Sequence, residues 1–294
     1  MIVTTVCATK GGVGKTSLCA NIGGLVSDMG WNVLLIDADP QASLTNYFPI
    51  SSRANFGLRR ILSHGDAEQS ISKTNLPRLD IVTCDGQDNP LEKGFLSVAN
   101  LCNQFRTALI NLHRYDLILV DTQGCSSIML DSAIPMSNIL LSPIVPDLLS
   151  AREFFNGTIH TIERLKESFG EIYSPTVTNV IIYRTRHTKD SHTISKLVRT
   201  QVTELPHINL LATHVPDRTV YRDAASAQIP VHHFEQKRRN GMSAAETIHC
   251  VVSELFPSLT HRSPVDQSTK NNGGNYAKTS YGKRTAPTAD ESVK

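Results

Sequence analysis

Apolar residues along this chain fall in short runs of strand length, separated by longer stretches in which they return every three or four positions. The runs are Ile2–Ala8, Val33–Ile36, Leu79–Cys84, Leu117–Val120, Ile139–Val145, Val177–Tyr183 and Ile208–Thr213. Between most of them lie helical patterns: Thr16–Met29, Leu91–Leu112, Ala151–Phe169 and Ser191–Leu205. Strands that alternate with helices predict an α/β fold, a mostly parallel sheet with helices on both faces. The runs are apolar throughout, as strands buried on both sides require. From residue 261 the composition turns to Ser, Thr, Asn, Gly and Lys with almost no large aliphatics. That shift predicts one domain over 1–260 and a polar, disordered tail over 261–294.

The chemistry gathers where three of these strands end. Thr-Lys-Gly-Gly-Val-Gly-Lys-Thr-Ser, residues 9–17, follows the first run directly and opens the first helix. Gly14, Lys15 and Thr16 fit the phosphate-binding loop G-x-x-x-x-G-K-[ST] and make this a P-loop NTPase-type fold; Thr9 stands at the place of the first glycine, and Lys10 follows it. Gly11, Gly12, Val13 and Gly14 supply backbone N–H groups for an anion nest, and the helix beginning at Lys15 adds its dipole. Lys15 is expected to reach the terminal phosphates, Thr16 to place its hydroxyl on Mg²⁺, and Ser17 to continue the nucleotide contact. Lys10 is a surplus cation suited to neutralising charge on a departing phosphoryl group. Leu34–Thr45 reads LLIDADPQASLT, and Leu117–Gly124 reads LILVDTQG. Asp121, at the end of a buried run, suits Mg²⁺. Asp37 and Asp39 flank Ala38, so an extended backbone aims both the same way. Ligands of such sheets lie beyond the carboxyl ends of the strands, where one site can collect all three segments.

Together these motifs resemble the deviant Walker A ATPases of the ParA/MinD superfamily, most closely the ParA/Soj type, over roughly the first 125 residues. The resemblance implies ATP and Mg²⁺ as ligands, ATP hydrolysis, and an ATP-dependent homodimer. It assigns catalytic roles to Lys10, Lys15 and Asp39, with Asp39 orienting the attacking water, Asp37 supporting the metal and Gln41 sensing the γ-phosphate. Whether Lys10 acts on its own nucleotide or its partner's stays open. Val215–Val231, VPDRTVYRDAASAQIPV, is similar to the family's adenine-side stretch, with the backbone of Pro216 and Asp217 as contacts. Two departures stand out. The chain has Ile-Tyr-Arg-Thr-Arg where relatives often place a base-recognising Asn, and Gln123-Gly124 where they usually have two prolines.

Charge adds a partner class. The net charge of +2 on 294 residues hides a segment, 184–239, with ten Lys/Arg against five Asp/Glu, beside a tail with six against three. Non-specific DNA binding rests on such cations, and Arg184, Arg186, Arg218, Arg222, Lys237, Arg238 and Arg239 are the candidates. With the loop beginning at residue 9, no helix-turn-helix is expected ahead of it, which favours non-specific over operator binding. The leading expectation is a partition ATPase acting with a ParB-type centromere-binding protein on a plasmid, chromosome or integrative element. A second is the same ATPase positioning a protein cargo, such as a conjugation or chemotaxis assembly. A membrane-positioning MinD-like role needs a basic amphipathic C-terminal helix, and 261–294 contains no Leu, Ile, Phe or Trp. A metabolic P-loop enzyme would need substrate insertions or clustered cysteines, and the six cysteines are scattered with no C-x-x-C pair. No apolar run approaches the ~20 residues of a membrane span. With no signal-peptide pattern at the start, the expected location is cytoplasmic and nucleoid-associated.

Overall fold

The computed structural model describes residues 1–85, 97–170, 175 and 177–260. They belong to one compact unit, Met1–Pro264. The tail expected to be disordered, and residues 91–96 of the expected Leu91–Leu112 helix, lie outside the described residues.

Among the described residues the strands are β1 Ile2–Val6, β2 Val33–Ala38, β3 Ile50–Ser52, β4 Ile71–Thr74, β5 Leu79–Val82, β6 Leu117–Thr122, β7 Ile139–Ile144, β8 Val177–Thr185, β9 Ile208–Leu210 and β10 Val215–Pro216. They form one sheet in the order β10-β8-β7-β1-β6-β2-β5-β4-β3, with β9 paired beside β8. Every pairing from β10 to β5 is parallel; β4 and β3 add an antiparallel edge. The mostly parallel α/β expectation therefore holds, with that edge as the exception. The sequences ISS and ISKT carry too few apolar residues to announce it.

The helices are α1 Lys15–Asp28, α2 Leu58–His64, α3 Val98–Ile110, α4 Ile128–Ala133, α5 Leu148–Glu153, α6 His160–Phe169, α7 Lys189–Thr203, α8 Thr219–Ser226, α9 Val231–Phe234, α10 Ala244–Leu255 and α11 Pro257–Thr260. Central strands divide their side chains between two cores by simple alternation. Leu35, Leu117 and Leu119 pack with Leu18 and Ile22 of α1 and with Ile248 and Val252 of α10. Leu34, Ile36, Ile118 and Val120 pack with Ile61 of α2 and with Leu101 and Phe105 of α3 on the other face. Gly23 lets α1 lie this close: a Cβ there would stand 2.7 Å from the Leu35 side chain.

The expected helix over 151–169 begins earlier and is not uniform. Asp147 caps α5 by accepting from the Ser150 amide at 2.8 Å. Residues Phe154–Ile159 form a π-helical stretch, and α6 completes the run. The expected strand 208–213 stops at Leu210, and β10 resumes further along the same side of β8.

Candidate functional site

β1, β6 and β2 run side by side, and the register places Val6 opposite Asp121 and Asp121 opposite Asp37. Their carboxyl ends thus bring the three expected segments together. The loop after β1 turns through Gly12 at φ 72° and Gly14 at φ 102°, left-handed conformations that glycine adopts without a Cβ clash. Gly14 is required twice, since a Cβ there would lie 2.2 Å from the Tyr183 ring. Tyr183 in turn donates from its hydroxyl to Ser17 Oγ at 2.9 Å.

Lys15 is 6% exposed, and its Nζ donates to the Lys10 carbonyl at 3.2 Å. Burial pulls its pKa below the ordinary lysine value, while Asp121 and Asp39 oppose that shift. Thr16 donates from Oγ1 to Asp121 Oδ2 at 2.6 Å. Asp121 is fully buried, and burial, reinforced by Asp37 and Asp39, pushes its pKa up to about 8. Its other oxygen, Oδ1, is buried with no hydrogen-bond partner. A buried carboxylate oxygen without a donor costs free energy unless a cation supplies the missing interaction. Together with the Thr16 hydroxyl, this all-oxygen donor set fits Mg²⁺.

Asp37 is committed elsewhere. Oδ2 accepts from the Thr45 amide and hydroxyl, both at 2.7 Å, and Oδ1 accepts from the Asp39 amide at 3.1 Å. It braces the 39–45 loop and faces Asp121 from behind. Asp39 has left the strand, and its Oδ1 accepts from the Gln41 amide at 2.9 Å. The shared direction expected from an extended backbone therefore ends at Ala38. Gln41 is exposed.

Lys10 points away from Lys15. Its Nζ donates to Ser150 Oγ at 2.6 Å and lies 3.4 Å from Asp147 Oδ1, both within its own chain at the start of α5. Burial works against ionised Asp147, yet hydrogen bonds from Ser150 and the Lys10 ammonium hold its pKa below the usual carboxylate range. Thr9 is pinned as well, its amide and hydroxyl each 3.1 Å from Thr158 Oγ1 of the π-helical stretch. Gly124, in the place of a family proline, packs against the loop: a Cβ on it would fall 2.5 Å from Gly11 Cα.

On the side where the base is expected, Ser17, Tyr47, Tyr183, Pro216, Asp217, Arg218 and Arg222 help to line a cavity of about 320 Å³. The Asp217 amide donates to the Thr185 carbonyl at 2.9 Å, which fixes Pro216–Asp217 beside the loop. A larger cavity of about 540 Å³ lies at the other end of the sheet, among Asn32, Lys73, Arg78 and Arg114. Size alone would pick that end; the motif residues and the carboxyl-end geometry pick this one.

The seven basic candidates separate. Arg184, at φ 62°, donates to the Gly12 carbonyl at 3.1 Å. Arg186 pairs with Asp217 at 2.8 Å, and Arg218 pairs with Glu235. Arg222 borders the base cavity, and Lys237, Arg238 and Arg239 stand exposed after α9. Sequence reasoning passed over a better-organised group. Lys189, His192, Lys196 and Arg199 recur at helical spacing along α7. The last three, with Arg186, His187 and His214, line a cavity of about 400 Å³ that has no acidic residue on its wall. A helical projection of 189–199 would have found that stripe. Asp147, Ser150, Thr45 and Thr158 were also missed, because their partners lie between 8 and 149 positions away.

Comparison with known proteins agrees with this geometry. The virulence plasmid ParA family protein pGP5-D of Chlamydia psittaci is 30% identical over 147 residues, 49% of this chain and 57% of that protein, so the match spans little more than half of the relative's length. The cell division protein PomZ of Myxococcus xanthus is 23% identical over 88% of this chain and 79% of its own. The McdA–ATP complex of Cyanothece superposes with a TM-score of 0.72 at 18% identity, covering 87% of this chain and 96% of that one. No described helix is long and apolar enough to cross a membrane. Residues 4–231 match the family described as the CobQ/CobB/MinD/ParA nucleotide binding domain, and the chain belongs to that family.

Proposed function

We propose that this protein is a ParA-like ATPase that binds ATP with Mg²⁺, dimerises, holds DNA without sequence preference, and releases it on hydrolysis. The observation that carries the reading is the hydrogen bond from half-buried Thr16 to buried Asp121, whose orphaned Oδ1 lies near Lys15. Thr16 and Asp121 would hold the Mg²⁺, which supplies charge neutralisation at the terminal phosphates. The glycine-rich loop and Lys15 bind those phosphates, and Pro216–Asp217 and Tyr183 border the base side. Asp39, on the loop that Asp37 braces, orients the attacking water. Lys10 would exchange its Asp147–Ser150 contacts for a phosphate, its own or a partner's.

DNA would meet the cationic stripe of α7 and the exposed Lys237–Arg239 loop, with Arg184, Arg186 and Arg218 diverted to loop and ion-pair duties. A ParB-type centromere-binding protein is the proposed stimulator of hydrolysis, and partition of a replicon the proposed outcome, in a nucleoid-associated, cytoplasmic setting. A second reading keeps the ATPase and replaces the replicon with a protein cargo. It is favoured by the PomZ match, which runs over 88% of this chain to a protein named for cell division.

The test is DNA co-sedimentation with ATP, with ADP and without nucleotide. The proposal expects binding with ATP alone; equal binding in all three states would sink the nucleotide switch.

A further inference from the structure

The far end of α1 carries a second constellation that the nucleotide chemistry does not use. Asp28, the last residue of α1, meets two adjacent histidines of α9 that lie 204 and 205 positions further along the chain. His232 Nε2 is 2.8 Å from Asp28 Oδ2, and His233 Nε2 contacts the same oxygen. One ligand atom from each of the three lies within 4.8 Å of the others. Neighbouring side chains of a helical turn ordinarily diverge by about 100°. Here both rings tilt inward, with centroids 4.5 Å apart and planes at 63°, so that both Nε2 atoms converge on one point.

We propose that Asp28, His232 and His233 form a binding site for a divalent transition-metal ion such as Zn²⁺ or Co²⁺. Two imidazole nitrogens and one carboxylate oxygen are a borderline donor set that favours these ions over Mg²⁺. Metal–ligand distances near 2.0–2.2 Å put the ligand atoms of a tetrahedral site roughly 3.3 Å from one another. His232 Nε2 and Asp28 Oδ2, at 2.8 Å, are closer than this, and small side-chain rotations open that contact by the half ångström required. Access is built in: His232 is 8% exposed and anchors the site, while Asp28 and His233 reach the surface and leave room for water as a further ligand. His232 Nδ1 is buried without a hydrogen-bond partner, so the ring's polar anchoring is its Nε2 contact with Asp28. The neighbouring cavity of about 370 Å³ is walled by His232, His249 and Cys250, which places two further candidate donors close by but outside the triad.

The ion would fasten the end of the phosphate-loop helix to the turn between α8, which borders the base cavity, and the Lys237–Arg239 loop. Such a clip acts on the folded state alone, so its effect follows from mass action: at a free concentration 100 times Kd, the ratio of folded to unfolded protein rises about 100-fold.

The experiment is a Co²⁺ titration of the untagged, EDTA-treated full chain, read by visible absorption and competed with Zn²⁺, beside thermal melts with Zn²⁺ or Mg²⁺. The expected result is one saturable site, displaced by Zn²⁺, with a raised melting midpoint in Zn²⁺. His233→Ala should lose at least tenfold in Co²⁺ affinity and most of the Zn²⁺ shift. Its ring is partly exposed, so the fold should tolerate the change, and ATP binding by this variant checks that it does. His249→Ala should keep the site. Absence of saturable binding in the unaltered chain, equal affinity in His233→Ala, or loss in His249→Ala alone would each overturn the assignment. Mg²⁺ that displaces the bound Co²⁺ as well as Zn²⁺ does would do the same.

Discussion

The phosphate side and the proposed base side of the nucleotide site are built on opposite plans. On the phosphate side three charged groups are buried before any ligand arrives: Lys15, at the start of α1, is 6% exposed, and Asp37 and Asp121, placed by strand register, are fully buried. On the base side the charges sit nearer solvent and hold one another, Arg186 with Asp217 and Arg218 with Glu235. A buried charge acts in a low-dielectric setting and costs much to leave unpaired, whereas a screened surface pair contributes little. The difference predicts where binding strength resides: with the charges that water cannot reach.

The comparison breaks first at Lys15. Lys15→Ala should weaken ATP binding by roughly 10²-fold or more, the worth of a charge-assisted bond to phosphate, while Arg222→Ala should cost less than about tenfold. Fluorescent ATP titration checks both, and comparable losses would erase the contrast. Next comes the water-orienting role proposed for Asp39. Asp39→Ala should keep ATP affinity but slow hydrolysis by about 10²–10⁴-fold, with single-turnover assays as the readout; unchanged turnover removes it from the mechanism. Lys10→Ala separates the two lysines. It should spare most ATP binding and lose dimerisation or hydrolysis, read by sedimentation velocity with ATP.

Beyond the site, Lys196→Ala with Arg199→Ala should flatten the slope of log K against log salt by roughly 0.9 per lost phosphate contact, equally for all DNA sequences. The Lys237/Arg238/Arg239→Ala triple variant should act the same way. If one set changes the slope and the other does not, the DNA face belongs to the first alone. The smallest effect is a pH dependence on the base side. The Arg218 hydrogen bond holds Glu235 below its ordinary value of 4.5. A depressed carboxylate pKa adds stability that is present above 4.5 and fades as pH falls through the folded-state value. Because the pair is partly exposed, Glu235→Gln should cost under about 1 kcal/mol at pH 7. The midpoint gap between variant and parent should narrow as pH falls below 4.5 through the folded-state value.

These two plans also explain what was legible in the sequence. Gly14-Lys15-Thr16 states a backbone requirement in adjacent letters, and Asp121 closes an apolar run, so the phosphate side reads directly. Lys10 was equally visible, but its Asp147–Ser150 anchor is 137 and 140 positions away and left no local trace. The central strands are continuous apolar runs; β3 and β4 are short and polar, and only antiparallel pairing, β4 on β5 and β3 on β4, makes them strands. Helix α10 did carry a signature, the Ser243–Glu246 capping box ahead of an apolar face, which the reading passed over. The base side depends on which arginine meets which acid, and net charge over 184–239 says nothing about pairing.

The π-helical stretch Phe154–Ile159 has a consequence for how this chain tolerates change in length. A π turn holds one residue more than an α turn, the mark of a single-residue insertion that a helix has absorbed without unravelling. Deleting Asn156 would restore ordinary α-helical pitch with α6 still in phase, while residues inside the stretch would turn relative to the phosphate loop. Thr158 would then leave Thr9, to which it now bonds at 3.1 Å, and the first residue of the phosphate loop would lose its mooring. One letter of surplus length, more than 140 positions from the first residue of the loop, thus sets the loop's footing.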